Sequence, residues 1–173
     1  MTIYALGGSE PKVDPDAFVH PDAVVIGNVE IGPGSSIWPH AVLRGDYGRI
    51  VIGRNTSIQD GTVIHATAEL PTIVGDRCVI GHIVHLEGCI IEDDALVGSG
   101  SVVLHRCRVH SHSLVGANAV VTNDTDVPSH AMALGIPAKI FADKVGEGEF
   151  LDSVNLYVEN AKRYKTDLRR VDS

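Results

Sequence analysis

An aliphatic residue recurs at every sixth position from Val19: Val19, Val25, Ile31, Ile37 and Leu43. Two residues ahead of each stand Ala17, Ala23, Val29, Ser35 and Ala41, nearly all small. The beat returns as Ile52, Ile58 and Ile64, then as Val74, Ile80 and Leu86. One residue drops out, and it runs on through Ile91, Val97, Val103, Val109, Val115 and Val121. Cys89, Ala95, Ser101, Cys107, Ser113 and Ala119 precede these by two. Glycine often follows the aliphatic residue, as in Gly32, Gly53, Gly75, Gly81, Gly98 and Gly116. A helix cannot keep every sixth residue on one side, whereas a short strand followed by a corner can. Residues two apart in a strand share a face, so the aliphatic and small positions point inward together. Three hexads close one triangular coil, and residues 17 to 127 predict about six stacked coils of an all-β, parallel β-helix.

Two segments break the beat, "RGDYGR" at 44–49 and "ATAELP" at 66–71, and both are expected to loop outward. Pro128 and Pro137 end the repeat. In "EGEFLDSVNLYVENAKRYKTDLRRV" the apolar residues Phe150, Val154, Tyr157, Val158 and Ala161 follow helical spacing. The organisation expected is a β-helix over 1–140 and a C-terminal helix within 141–173, packed on the prism or on a neighbouring subunit.

Composition sharpens this picture. The apolar share is 44% with only 5% aromatic, dominated by the Val and Ile that favour strands. A formal charge of −8 over 173 residues argues against nucleic acid and against anionic membranes as partners. No apolar run is long enough to span a bilayer, and "MTIYALGGSEPKV" lacks the pattern of a secretory signal. Cys78, Cys89 and Cys107 form no CxxC, and Cys89 and Cys107 occupy small inward positions of the beat. They read as core residues in a reducing, cytoplasmic protein.

The chemistry concentrates in "GHIVHLEGC", residues 81–89, with His82, His85 and Glu87, and in "SIQDGTVIH", which ends at His65. His65 and His82 each follow an inward aliphatic residue closely and so stand at corners, facing out. His85 and Glu87 are two apart and share an outward face. "VHSH" offers His110 and His112 on one side of a strand, with no third ligand in evidence.

The ordered set "WPHAVLRGDYGRIVIG", "SIQDGTVIH", "VIGH", "GANAVV" and "GIPAK" resembles the gamma-class carbonic anhydrase family of left-handed β-helix proteins, over nearly the whole chain. The resemblance implies a homotrimer acting on a small-molecule substrate, with zinc sites shared between subunits and metal-activated water hydrating carbon dioxide to bicarbonate. It implies His65 and His82 as metal ligands. Glu87 stands where the family has its third histidine, in "LEGC". Gln59 matches the glutamine that contacts the metal-bound water, and Tyr157 a tyrosine supplied by the C-terminal helix of some members. Arg44 matches a structural arginine, with Asp46 and Asp60 as its acidic partners across the interface. Ser57 stands where the family often has Asn.

Zinc accepts two imidazoles and one carboxylate, so Glu87 is a sound third ligand; His85 is the alternative. Iron or cobalt suits the same donors. A carboxylate lowers the positive charge of the centre and should leave bound water less acidic than the pKa of about 7 found on three-histidine zinc. The hexad is also the scaffold of acyltransferases and related thioesterases. A second reading is therefore acyl transfer, and a third a trimeric scaffold without activity.

Overall fold

The computed structural model describes residues 2–172. Its body is a left-handed parallel β-helix, with strands stacked in register on three faces. On the first face Val25, Leu43, Ile64, Leu86, Val103 and Val121 pair in succession. On the second face Ile31, Ile52, Val74, Ile91, Val109 and Val127 do the same. On the third, Ile37, Ile58, Ile80, Val97 and Val115 form the column. All of these point into one continuous core. The small residues of the beat lie beside them, and their hydroxyls join the coils. Ser35 Oγ donates to the Gly53 carbonyl at 2.6 Å, Thr56 Oγ1 to Gly75 at 2.7 Å and Thr62 Oγ1 to Gly81 at 2.8 Å. Cys78, Cys89 and Cys107 are buried and unbridged, and burial pushes the Cys78 thiol up to about 12.

The corners follow a second rule. All three have left-handed residues: Asn55, Arg77, Asp94, His112 and His130 at one, His40, Ile83 and Asn118 at another, and Arg106 and Asp124 at the third, each with φ between 53° and 62°. Asn, Asp and His tolerate this region, whereas a β-branched residue is strained there. Ile83 is the exception, with φ 57° and its side chain largely in solvent.

"RGDYGR" does not leave the sheet as a loop. It lies inside the strand Val42–Ile52, which with Val24–Ile31 runs round the corner between the first and second faces. Gly27 pairs with Gly45, but Val29 pairs with Ile50, so residues 46–49 bulge opposite Asn28 alone. The glycines permit this, since a Cβ on Gly27 would lie 2.4 Å from the Gly45 carbonyl oxygen. "ATAELP" is a loop as expected, and it covers the bulge at the same corner: a Cβ on Gly48 would meet the Thr67 carbonyl oxygen at 2.0 Å. Both insertions therefore collect beside His65.

The stack closes with the antiparallel strand Lys139–Phe141 on Met132–Leu134. The helix Leu151–Asp167 then returns along the third face of its own chain. Tyr157, Ala161 and Tyr164 pack on Phe18 and Trp38, with the Trp38 and Tyr164 rings 5.0 Å apart. The Trp38 indole N–H is shared by Ser36 Oγ at 2.9 Å and Ser57 Oγ at 3.0 Å, which gives Ser57 a packing role under the helix.

Leu86 is fully buried in mid-stack between the outward His85 and Glu87. Leu86→Ala is expected to cost about 2–5 kcal/mol, because neighbouring coils cannot collapse into the cavity. Urea unfolding checks this. A midpoint equal to that of the unaltered protein would contradict a core made by this column.

Candidate functional site

Register decides which polar residues meet. Arg44 pairs with His65, and His65 with Glu87, on successive strands of the first face. Since Leu43, Ile64 and Leu86 point inward, the residue after each points out and the three side chains form an outward column. His65 is the centre of it. Its Nδ1 lies 2.8 Å from Glu87 Oε1 and its Nε2 2.9 Å from Asp46 Oδ1. Asp46 reaches His65 from the bulge and also accepts a hydrogen bond from Arg44. Arg44 and Asp46 therefore pair within one chain. Asp60 is engaged elsewhere.

Glu87 draws further imidazoles. His85 Nε2 is 3.3 Å from Oε2, and His105 Nε2 is 3.7 Å from Oε1. Partial burial pushes the Glu87 carboxyl up, but the hydrogen bond and charge of His65, with help from His85 and His105, hold it below the ordinary glutamate range. Asp46 behaves alike: burial opposes ionisation, and His65 and Arg44 overcome it.

His82 stands apart, at the corner between the third and first faces. It is half in solvent, with Nδ1 2.9 Å from Asp60 Oδ2. Gln59 opens the same corner one coil earlier and is buried. Tyr157 lies on the helix against Trp38, its ring centroid 5.8 Å away. Burial raises its phenol above the ordinary value, and the Asp60 charge adds to this. Within one chain, then, Arg44, Asp46, His65, His85 and Glu87 come together, while Asp60, Gln59, His82 and Tyr157 gather round the neighbouring corner. Among the described residues, no three His, Cys, Asp or Glu side chains of one chain form a metal-holding group. His110 instead contacts Glu92 at 3.3 Å and Asp126 at 3.5 Å, and His112 stacks on His130 at 5.2 Å.

His105 was not singled out from the sequence. It belongs to no histidine-rich motif, and its only signal is a position in the next coil, over Gly88 and beside Glu87. Round the column the outward surface is apolar: His85 interrupts the paired series Val24, Val42, Val63, Val102 and Val120.

Residues 10–45 and 88–123 match the model of the bacterial transferase hexapeptide (six repeats). A hexapeptide transferase family protein from Anaplasma phagocytophilum is 34% identical, with 94% of this chain and 98% of that one aligned at a TM-score of 0.89. The chain belongs to the hexapeptide-repeat transferase family. A Bacillus cereus protein assigned provisionally as an acetyltransferase superposes with a TM-score of 0.93 at 32% identity, over 95% of this chain and 97% of the other. Among curated relatives, the carnitine operon protein CaiE of Escherichia coli is 50% identical over 104 residues, covering 60% of this chain and 53% of CaiE. The chain thus spans about half the length of the curated relatives it matches. Hexapeptide-repeat membership fixes the scaffold. Among the described residues no helix is long and apolar enough to cross a membrane.

A carboxyl whose pKa is lower in the folded state binds fewer protons there than in the unfolded chain. Its contribution to stability is present above the unfolded value of about 4.3 and is lost as pH falls through the folded value. Glu87→Gln removes that contribution, so the fall in urea midpoint between pH 7 and pH 3 is expected to be shallower than in the unaltered protein. Parallel pH profiles would show that Glu87 is not preferentially ionised in the fold.

Proposed function

We propose that this protein is a gamma carbonic anhydrase-like metalloprotein, with a centre made of His65 and Glu87 from one chain and His82 from the next in a homotrimer. The observation that carries the reading is the pairing of His65 with Glu87 on the outward face while the second histidine, His82, stands exposed on a different corner. Two imidazoles and a carboxylate form a donor set that zinc accepts, with a position left open for substrate. Iron or cobalt suits the same set. The valines flanking the column give a second chain an apolar surface to cover, in keeping with subunit association.

The residues divide the work as follows. An ion seated between His65 and Glu87 would replace their mutual hydrogen bond and leave Asp46 on the other ring nitrogen. A carboxylate there fixes the tautomer and raises the basicity of the ligating imidazole. Arg44 keeps Asp46 ionised and aimed at His65. Gln59 orients the attacking water, and Tyr157 supplies a hydroxyl near Asp60. When bound, zinc supplies the Lewis acidity that turns water into a nucleophile near neutral pH. Glu87 in place of a third imidazole lowers the positive charge of the centre and moderates that effect. The product is bicarbonate, and the proton leaves to solvent.

A second reading, acyl transfer, is favoured by the transferase names of the solved relatives; His65 would act as its general base once substrate displaces one of the two carboxylates and leaves the other to orient the ring. Turnover of acetyl-coenzyme A, abolished by His65→Ala and indifferent to metal removal, would support it over the first.

A shared centre makes a strong prediction about mixing. His65→Ala and His82→Ala trimers are each expected to lose most bound zinc, measured by elemental analysis. Trimers reassembled from both variants regain part of it, because a chain with intact His65 then meets one with intact His82. No recovery in verified mixed trimers would rule out ligands from two chains. The second prediction concerns Glu87→His. A third imidazole is expected to make bound water more acidic and raise carbon dioxide hydration at pH 7. A variant fully loaded with zinc but no more active would move the explanation away from the third ligand.

A further inference from the structure

We infer that His105 is a positioning residue of this centre, held in the next coil beside Glu87 to fix the Glu87 carboxylate when His65 turns to a metal ion. The inference rests on the metal reading above. Its first support is the seat of the ring. A Cβ on Gly88 would lie 2.9 Å from His105 Cδ2 and 3.0 Å from Leu70 Cβ, so the imidazole and Leu70 fill the space that the missing side chain leaves. Gly88 itself is pinned: its N–H donates to Thr72 Oγ1 at 2.8 Å, and its carbonyl accepts from the Arg106 N–H at 2.8 Å. The ring and the backbone that follows Glu87 thus hold a fixed relation.

The second support is an orphaned nitrogen. His105 Nε2 is buried and has no hydrogen-bond partner, although it faces Glu87 Oε1 from 3.7 Å. That separation is too long for a hydrogen bond. A buried polar atom without a partner calls for an explanation, and the carboxylate it faces is drawn toward His65 instead. Oε1 is occupied by His65 Nδ1 at 2.8 Å, while the other oxygen, Oε2, has His85 at 3.3 Å. Once His65 gives its nitrogen to an ion, Oε1 loses that contact. The ion takes over that direction at Oε1, but a carboxylate oxygen can serve an ion and one N–H together, and His105 Nε2 stands within a small side-chain shift of the same oxygen. We assign this unpartnered nitrogen as the donor that fixes Glu87 when the carboxylate holds an ion. Carboxylate ligands are commonly fixed by such a hydrogen bond.

Cobalt(II) titration followed by visible absorption tests this on the assembled protein, with sedimentation reporting association. The variants are His105→Leu, which fills the space without a donor, and His105→Gln, which restores an N–H. The Leu variant is expected to bind cobalt about 10- to 100-fold more weakly, with altered absorption bands and unchanged association. The Gln variant is expected to regain most of the affinity and the original bands. A Leu variant that matches the unaltered protein, or Gln and Leu variants that lose affinity equally, would reduce His105 to packing and leave the metal reading intact. An unaltered protein that takes up no cobalt would remove the metal reading and this inference with it.

Discussion

Fixed register between coils is the constraint on which everything else depends. Leu43, Ile64 and Leu86 must lie over one another to exclude water, and a slip of one residue would turn each outward. The polar residues one place along have no freedom of their own. Arg44, His65 and Glu87 are stacked because the core residues beside them are stacked. The charged column is thus positioned by the hydrophobic effect, and the electrostatics within it settle only which atoms touch.

Within the column the balance is close. His65 holds a carboxylate at each ring nitrogen, and Glu87 faces three imidazoles, of which only His65 is within close hydrogen-bond distance. Such a cluster can rearrange without moving backbone, since every competing partner is already in place. The bulge at residues 46–49 matters for the same reason. It adds Asp46 to the column from outside the repeat, where the regular coil geometry offers no side chain.

The β-helix was legible because its signal is redundant: a dozen aliphatic residues must agree in phase, and the structure places them in the columns that the phase predicts. The juxtaposition of His85 and Glu87 was legible too, from the period of a strand. The path of "RGDYGR" was not. Breaking the beat marks an insertion, but whether inserted residues leave the sheet or bulge within it depends on Gly27 and Gly45, which come from different coils and let their backbones meet. His105 was hidden for a related reason. Its partner is 18 positions away, and its seat exists only because Gly88 lacks a side chain. The left-handed corners were equally silent, since Arg77, Ile83 and Arg106 adopt them against their own preference.

The reversed strand Lys139–Phe141 has a meaning beyond shape. A stack of parallel coils has no intrinsic length, because each finished coil offers the next a ready template of unpaired amides and carbonyls. Two such ends from different molecules could join in register and extend without limit, as fibrils do. An antiparallel segment laid across Met132–Leu134 presents the wrong polarity to an incoming coil. The chain thereby spends three residues on refusing its own continuation along that face.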